Sequence, residues 1–463
     1  MKRWAYFLMT AIAALPAAAQ SDEDAPGRGV ARISVINGEV SVKRGDTGDL
    51  IAAAINAPLI ASDRLLTGSL SRAELQFDAA NLIRIAANSE VRLEQIEYRR
   101  YQVQLAIGTA TFRVLRDSDA DVEISTPSVA VRPVKRGLYR VTVHEDGSSE
   151  ITVRSGEAEI FTPRGSQRLR SGQTMAARGN ASDPEFQMVA NLPMDDWDRW
   201  NENRDRDLMN TRSYQYVASG VYGVEDLDNH GRWVYADNYG WVWAPTVAPG
   251  WAPYRYGRWS WMDYYGWNWV SYDPWGWAPY HYGRWFWSAP HGWCWWPGGG
   301  GRHYWRPALV AFFGWGSYGG FNAGIGFGWG NVGWIPLAPY ETFYPWYGPR
   351  WYGGYRGGHN NVTIVNNTNI YNVYRNARVS NSITAVNSGS FGRRHIGNAD
   401  LIRVSEGDVR QAGLIRGGMP LTPDRQSLRL ADREVRASEL PRVAENRSFY
   451  SRRPAAAPVR SAR

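Results

Sequence analysis

Three aspartates sit among aromatic side chains in the middle of the chain: Asp237, Asp263 and Asp273. Two carboxylates beside sugar-stacking rings are what a glycosidase needs. Asp237 and Asp263, however, fall at matching places in the turns ADNYG and MDYYG. Turns favour Asp because its carboxylate bonds the turn's own backbone, so local structure accounts for both. His291, Cys294 and His303 are the other residues with ligating chemistry, and their spacing matches no usual zinc framework. The chain has no G-x-S-x-G elbow, no H-E-x-x-H and no phosphate-cradling glycine loop at a strand–helix junction. These residues point away from an enzyme, with no metal and no cofactor expected.

What remains is the chemistry of flat rings. The chain holds 24 Trp and 26 Tyr, and the stretch YGRWSWMDYYGWNWVSYDPWGWAPYHYGRWFW, from Tyr256 to Trp287, concentrates them. Gly-Arg-Trp recurs at 231, 257 and 283, and Gly-Trp recurs at 240, 266 and 292. Repetition at a fixed step marks a repeated supersecondary unit. Within each unit two aromatic-alternating runs flank a five-residue turn that closes on glycine, which suits a residue at positive φ. Folding each unit as a hairpin pairs Trp233 with Trp243 and Tyr235 with Trp241. It likewise pairs Trp259 with Trp269, Trp261 with Trp267, Trp285 with Trp295 and Trp287 with Trp293. So small a hairpin has almost no interior, and only large rings stacking on the next hairpin can build a core. The Arg of each Gly-Arg-Trp is placed to lie on a neighbouring indole.

Trp251 and Trp277 stand apart, in the Pro-bounded loops WAPY (251–254 and 277–280) between hairpins. They are the expected exposed platforms, with Tyr254, Tyr280, Arg258 and Arg284 beside them as candidate ligand-binding residues. Indole faces of this kind suit a glycan or polysaccharide. The alternative is that every ring is core and that the protein acts through a protein partner instead.

These rings need elements to position them. Before the repeats, residues 29–180 alternate apolar and polar in short runs with Gly-centred turns, as an all-β sandwich or roll does. Leu75, Phe77, Leu82, Ile85, Val91 and Leu93 have strand-like spacing. Asn37-Gly38 and HEDGSSE read as hairpin turns. Residues 192–220 read as a helical connector, with Trp197 and Trp200 on one helix face. The repeat domain extends over 221–385, through a Gly-rich loop around the strand ALVAFF to Asn-rich strands at Val362, Ile364, Ile370 and Val373. A short helix is expected near 406–415.

The order GEVSV, LLTGSLSRAELQF, IGTATFRV, VEISTPSVAV, RGLYRVTV, ITVRSGEAEI and LRSGQ resembles the FecR domain family. The family's Thr-Pro and Arg-Gly core is matched by Thr126-Pro127 and Arg136-Gly137, with Leu138 and Tyr139 departing from its usual pattern. Members that transduce signals carry a cytoplasmic anti-sigma segment and a membrane helix, so the resemblance implies an extracytoplasmic β domain without sigma-factor control in cis. WRPALVAFFGW and VGWIPLAPYETFYPWYG, following the repeats, resemble an uncharacterised Trp-rich domain of bacterial envelope proteins.

The N-terminal twenty residues, MKRWAYFLMTAIAALPAAAQ, have the form of a signal peptide over 1–19, with cleavage between Ala19 and Gln20. No later apolar run is long enough to span a bilayer, so a periplasmic or cell-envelope protein with no transmembrane segment is expected. Nucleic acid is then not an available partner. The net charge of +8 is uneven: residues 401–463 hold thirteen Arg against seven Asp or Glu. Composition reads 392–463 as a basic, mostly disordered tail. The fold class is therefore mainly β: a FecR-like sandwich or roll, Trp-rich hairpin repeats and that tail.

Overall fold

The computed structural model describes residues 29–179, 182–301, 303–317, 329–347, 362–365, 369–442 and 445–452. The expected signal peptide and its expected Ala19–Gln20 cleavage site lie outside the described residues. The chain is mainly β.

The first domain is two packed sheets that share one long strand, Arg100–Val114. The first sheet runs in the order Pro58–Leu59, Ala31–Asn37, Arg72–Gln76, Asn81–Ile85, the shared strand, Gly137–Val143, Ser149–Ser155, Gln173–Gly179 and Pro184–Val189. The second runs Leu50–Ala52, Val40–Lys43, Arg64–Thr67, Ser89–Glu97, the shared strand, Asp121–Ser125, Ala130–Pro133, Glu157–Thr162 and Gly165–Arg170. The shared strand changes sheets at Gly108. There φ is +88° and a Cβ would stand 2.1 Å from Ser89 Oγ, so only glycine fits. Alternation does the rest: Val42, Leu65, Val91, Leu93, Val103, Leu105, Ile151 and Val153 point into one shared core.

HEDGSSE turns a hairpin between Gly137–Val143 and Ser149–Ser155, as read from the sequence. Asn37-Gly38 does not. Its flanking strands separate into the two sheets, and Gly38, at φ +81°, makes the corner between them. Turn chemistry specifies a reversal of the chain and cannot say whether the strands it joins will pair.

The connector is the helix Asp196–Met209, opened by a capping box between Asp195 and Asp198. Trp197 and Trp200 stack at 5.0 Å on it. It is fastened to the outer face of the first sheet by ion pairs to successive strands: Arg204 to Glu74 at 2.9 Å, Arg84 to Asp205 at 2.7 Å, Arg113 to Asp205 at 2.8 Å, and Arg140 and Arg154 to Asp198 at 2.9 and 2.6 Å.

Beyond it the hairpins Gly231–Ala236/Gly240–Pro245 and Arg284–Ser288/Gly292–Trp296 join edge to edge through Trp243 and Trp295 into a four-stranded sheet. The middle hairpin, Gly257–Met262/Gly266–Ser271, stands by itself. A five-stranded sheet follows, in the order Val362–Val365, Gly413–Gly417, Val310–Ser317, Trp329–Pro336 and Thr384–Asn387. Ile370–Val373, expected as strand, is a helical turn capped by Asn369, whose side chain accepts from Tyr371 N. A capped helix does occur at Glu406–Gln411.

The described part of the tail departs from the reading as disordered. Gly413–Gly417 is a strand inside the five-stranded sheet, and Leu430 enters the core of the first domain. Composition missed this because some of the tail's arginines are neutralised by carboxylates of distant segments, Arg433 by Glu39 and Arg425 by Asp49.

Candidate functional site

The six cross-strand aromatic pairs expected in the hairpins all form. The closing glycines Gly240, Gly266 and Gly292 have φ of +74°, +64° and +73°. Rings in mostly edge-to-face and tilted contact make a core in which Trp243, Trp259, Trp267, Trp269, Trp277, Trp285, Trp295 and Trp334 are fully buried. Several of the indole N–H groups reach backbone carbonyls. Trp243 donates to Leu227, Trp285 to Pro279, Trp295 to Tyr282, Trp334 to Tyr254 and Trp346 to Trp267, at 2.8–3.1 Å. A ring of this kind supplies buried area and also satisfies backbone that has no ladder partner.

The proposed platform residues lie inside this core. Trp277 is fully buried and packs on His281, Trp305 and Tyr222. Trp251 is half-buried between Trp275 and Trp285. Tyr254 and Tyr280 are fully buried in contact with each other, and Tyr254 Oη donates to Tyr280 O at 2.7 Å. The expectation that the loop rings are exposed is thus corrected: the WAPY loops fold inward, because the hairpins they join leave a gap that only rings can fill. Arg258 is fully buried and bonds the tail rather than lying on an indole, reaching Asp432 at 2.7 Å and Gln426 O at 2.8 Å. Arg284 is half-buried, with Nη1 donating to Gly283 O at 2.9 Å.

Of the aspartates, Asp237 is exposed and Asp263 half-buried in their turns. Asp273 is buried, and Tyr280 Oη donates to its Oδ2 at 2.7 Å. Burial pushes its carboxyl up to about 6 despite the hydroxyl donors of Tyr280 and Ser271. His281 is buried under Trp277 and Trp305, and burial pushes it down to about 3. Cys294 is buried beside Val242 and Ala244, and burial pushes its thiol up to about 11. His303 Nε2 lies 2.9 Å from Gly299 O. Among the described residues no three His, Cys, Asp or Glu side chains gather as a metal site would require.

Sequence reasoning missed the junction between the domains. Arg32, on the second strand of the first sheet, is fully buried. It donates to Asn56 Oδ1 at 2.8 Å and Glu225 Oε1 at 3.0 Å, pairs with Asp226, and lies 5.9 Å from the ring of Trp277. Asn56 Nδ2 in turn donates to Asp273 O at 2.9 Å. The sequence carries no signal for this: the partners are almost two hundred residues apart. Among the described residues of this domain, rings that face outward include Tyr235 and Trp241, in edge contact at 5.8 Å, Trp287 on the third hairpin, and Tyr256, Tyr304 and Tyr340 in the connecting segments.

A two-sheet β domain fastened to an aromatic hairpin domain is the class of protein these features define. Residues 63–159 match the FecR protein family, and residues 224–341 match a family of unknown function, DUF6600. The chain thus carries a FecR domain followed by a DUF6600 domain. No curated protein matches it. Among solved structures it is similar to two crystal structures of a candidate anti-sigma factor from Parabacteroides distasonis ATCC 8503. The 2.50 Å structure is 20% identical over 28% of this chain and 59% of its own, with a TM-score of 0.24. The 1.65 Å structure is 17% identical over 34% of this chain and 76% of its own, with a TM-score of 0.26. The chain therefore spans less than two thirds of the first of these.

Proposed function

We propose that this is an exported, non-catalytic protein of the cell envelope that acts through a protein partner held by its FecR domain, with the Trp repeats serving as core. The observation that carries the reading is the inward packing of the hairpin rings, Trp277 and Tyr280 included. The rings that fill the hairpin interior have no free face to offer a ligand, and this supports the FecR domain as the working surface. The FecR family match supports a regulatory or interaction role for that domain. Photo-crosslinkers placed at exposed positions of residues 29–179 of the full chain test this in the intact envelope. One discrete protein adduct is expected; a smear or no adduct from every position would overturn it.

A second reading keeps a glycan contact on the hairpins and is favoured by the exposed pair Tyr235 and Trp241. It expects the full chain to pellet with peptidoglycan sacculi in moderate salt, and Y235A/W241A to stay in solution. Pelleting that ignores the double substitution would remove it.

A further inference from the structure

Both outer faces of the FecR domain are covered by a segment of this chain, and the two coverings differ in kind. On the first sheet the helix Asp196–Met209 is held by pairs whose sheet-side groups, Glu74 and Arg84, are fully buried. On the second sheet the cover is formed by residues 433–442 and 445–452. The core side of that sheet is taken by Val42, Leu65, Val91, Val103 and Ile124. Alternation turns Lys43, Arg64, Arg92, Gln102 and Glu123, on five neighbouring strands, to the other side.

The tail crosses these strands in order. Arg433 donates to both oxygens of Glu39 at 2.8 and 2.9 Å. Glu445 receives Lys43 and Arg64, the latter at 2.7 Å. The Phe449 ring lies 5.2 Å from the Arg92 guanidinium. Ser451 Oγ accepts from Gln102 Nε2 at 2.8 Å and donates to Glu123 Oε1 at 2.6 Å. Lys43 and Arg64 hold the Glu445 carboxyl down at about 2.

Almost nothing apolar fastens the segment. Among its described residues only Leu440 is buried, and the Glu445 side chain is 64% exposed. Exposed ion pairs hold weakly and are screened by salt. The segment thus docks as a peptide does, through alternating side chains on a prepared polar face, and it can leave without opening the core.

We propose that the outer face of the second sheet is a peptide-docking face that the chain occupies with its own residues 433–442 and 445–452, and that the partner displaces them. The segment it fits is extended and has an arginine for Glu39, a carboxylate for Lys43 and Arg64, and an aromatic ring for Arg92. This rests on the reading of the FecR domain as the partner-binding part.

Amide hydrogen exchange on the full chain, with a labelled synthetic peptide of residues 433–452 as probe, tests it. Glu445→Lys sets a third cation beside Lys43 and Arg64. It should speed exchange across 445–452 by about tenfold or more while the strand Ser149–Ser155 is unchanged. Higher salt should do the same to the unsubstituted chain. Arg433→Ala loosens the other end and guards against a fault peculiar to position 445. The peptide should bind the loosened Arg433→Ala chain and not the unsubstituted one, and a peptide carrying Glu445→Lys should bind neither.

Exchange across 445–452 that ignores both substitutions and salt, or a peptide that binds no chain, would overturn the docking face. A discrete envelope adduct formed elsewhere on the FecR domain while 445–452 stays protected would overturn it too, yet leave the interaction reading standing. Peptide binding with no adduct from any position would sink the interaction reading, and displacement by a partner with it, while the self-occupied docking face would stand.

Discussion

In the FecR domain the core is Val, Ile, Leu and Ala, packed between two sheets that each run nine strands wide through Arg100–Val114. In the domain beside it the core is Trp and Tyr, packed among hairpins whose strands are five or six residues long. The difference follows from what surrounds each side chain. A residue inside a sandwich has neighbours from its own sheet and from the sheet facing it, so small branched side chains fill the space. A residue on an isolated hairpin has no facing sheet, and only a ring reaches the next unit. The loops between hairpins also leave carbonyls without ladder partners, and indole N–H groups bond several of them.

The two regions handle buried carboxylates differently as well. Burial raises the Glu74 carboxyl, but the charges of Arg204 and Arg84 outweigh that and hold it at about 2. Asp273 has only neutral donors close by and is pushed up to about 6.

Removing one core ring should test the contrast most severely. Trp295→Ala is expected to cost about 3–5 kcal/mol in urea denaturation, because it takes out both the buried indole and its bond to Tyr282 O. Ile151→Val, in the sandwich, should cost about 0.5–1.5 kcal/mol. If the two costs were equal, the rings would not be the structural unit described.

The pH profile of stability separates the regions next. Asp273 binds its proton more tightly when folded, so its effect is to lower stability as pH rises from about 4 to about 6, by roughly 3 kcal/mol in all. Glu74 acts in the opposite sense: it contributes stability above its ordinary range, and that is lost as pH falls towards about 2. Asp273→Asn should flatten the profile between about pH 4 and 6 and leave the acid limb in place. A profile unchanged by that substitution would refute the assignment. Smallest of all, Trp241→Ser at the exposed end of the first hairpin should change stability by no more than about 0.5 kcal/mol. A larger loss would show that ring to be core.

Much of this was legible in local patterns. The step of the Gly-Arg-Trp repeat and the closing glycines set every cross-strand aromatic pair, since hairpin register follows from turn length and the two-residue alternation of a strand. A helix within 192–220 followed from the spacing of Trp197 and Trp200, whereas its bounds and its capping box were seen only in the structure. The candidate platforms did not follow. Pro-bounded loops look exposed in sequence, yet Trp277 is covered by Tyr222, His281 and Trp305, and no local signal predicts what will lie over a ring.

The sequence by itself determined the three repeat hairpins with their turns and aromatic pairs, and much of the strand alternation of the first domain, because backbone geometry and alternation are properties of neighbours along the chain. Only the tertiary structure decided which rings are inside, how Arg32 joins the domains, and that a segment of basic composition lies along the second sheet. Those depend on the meeting of residues hundreds of positions apart, as Glu39 meets Arg433, and charge neutralised across such a distance leaves no trace in local composition.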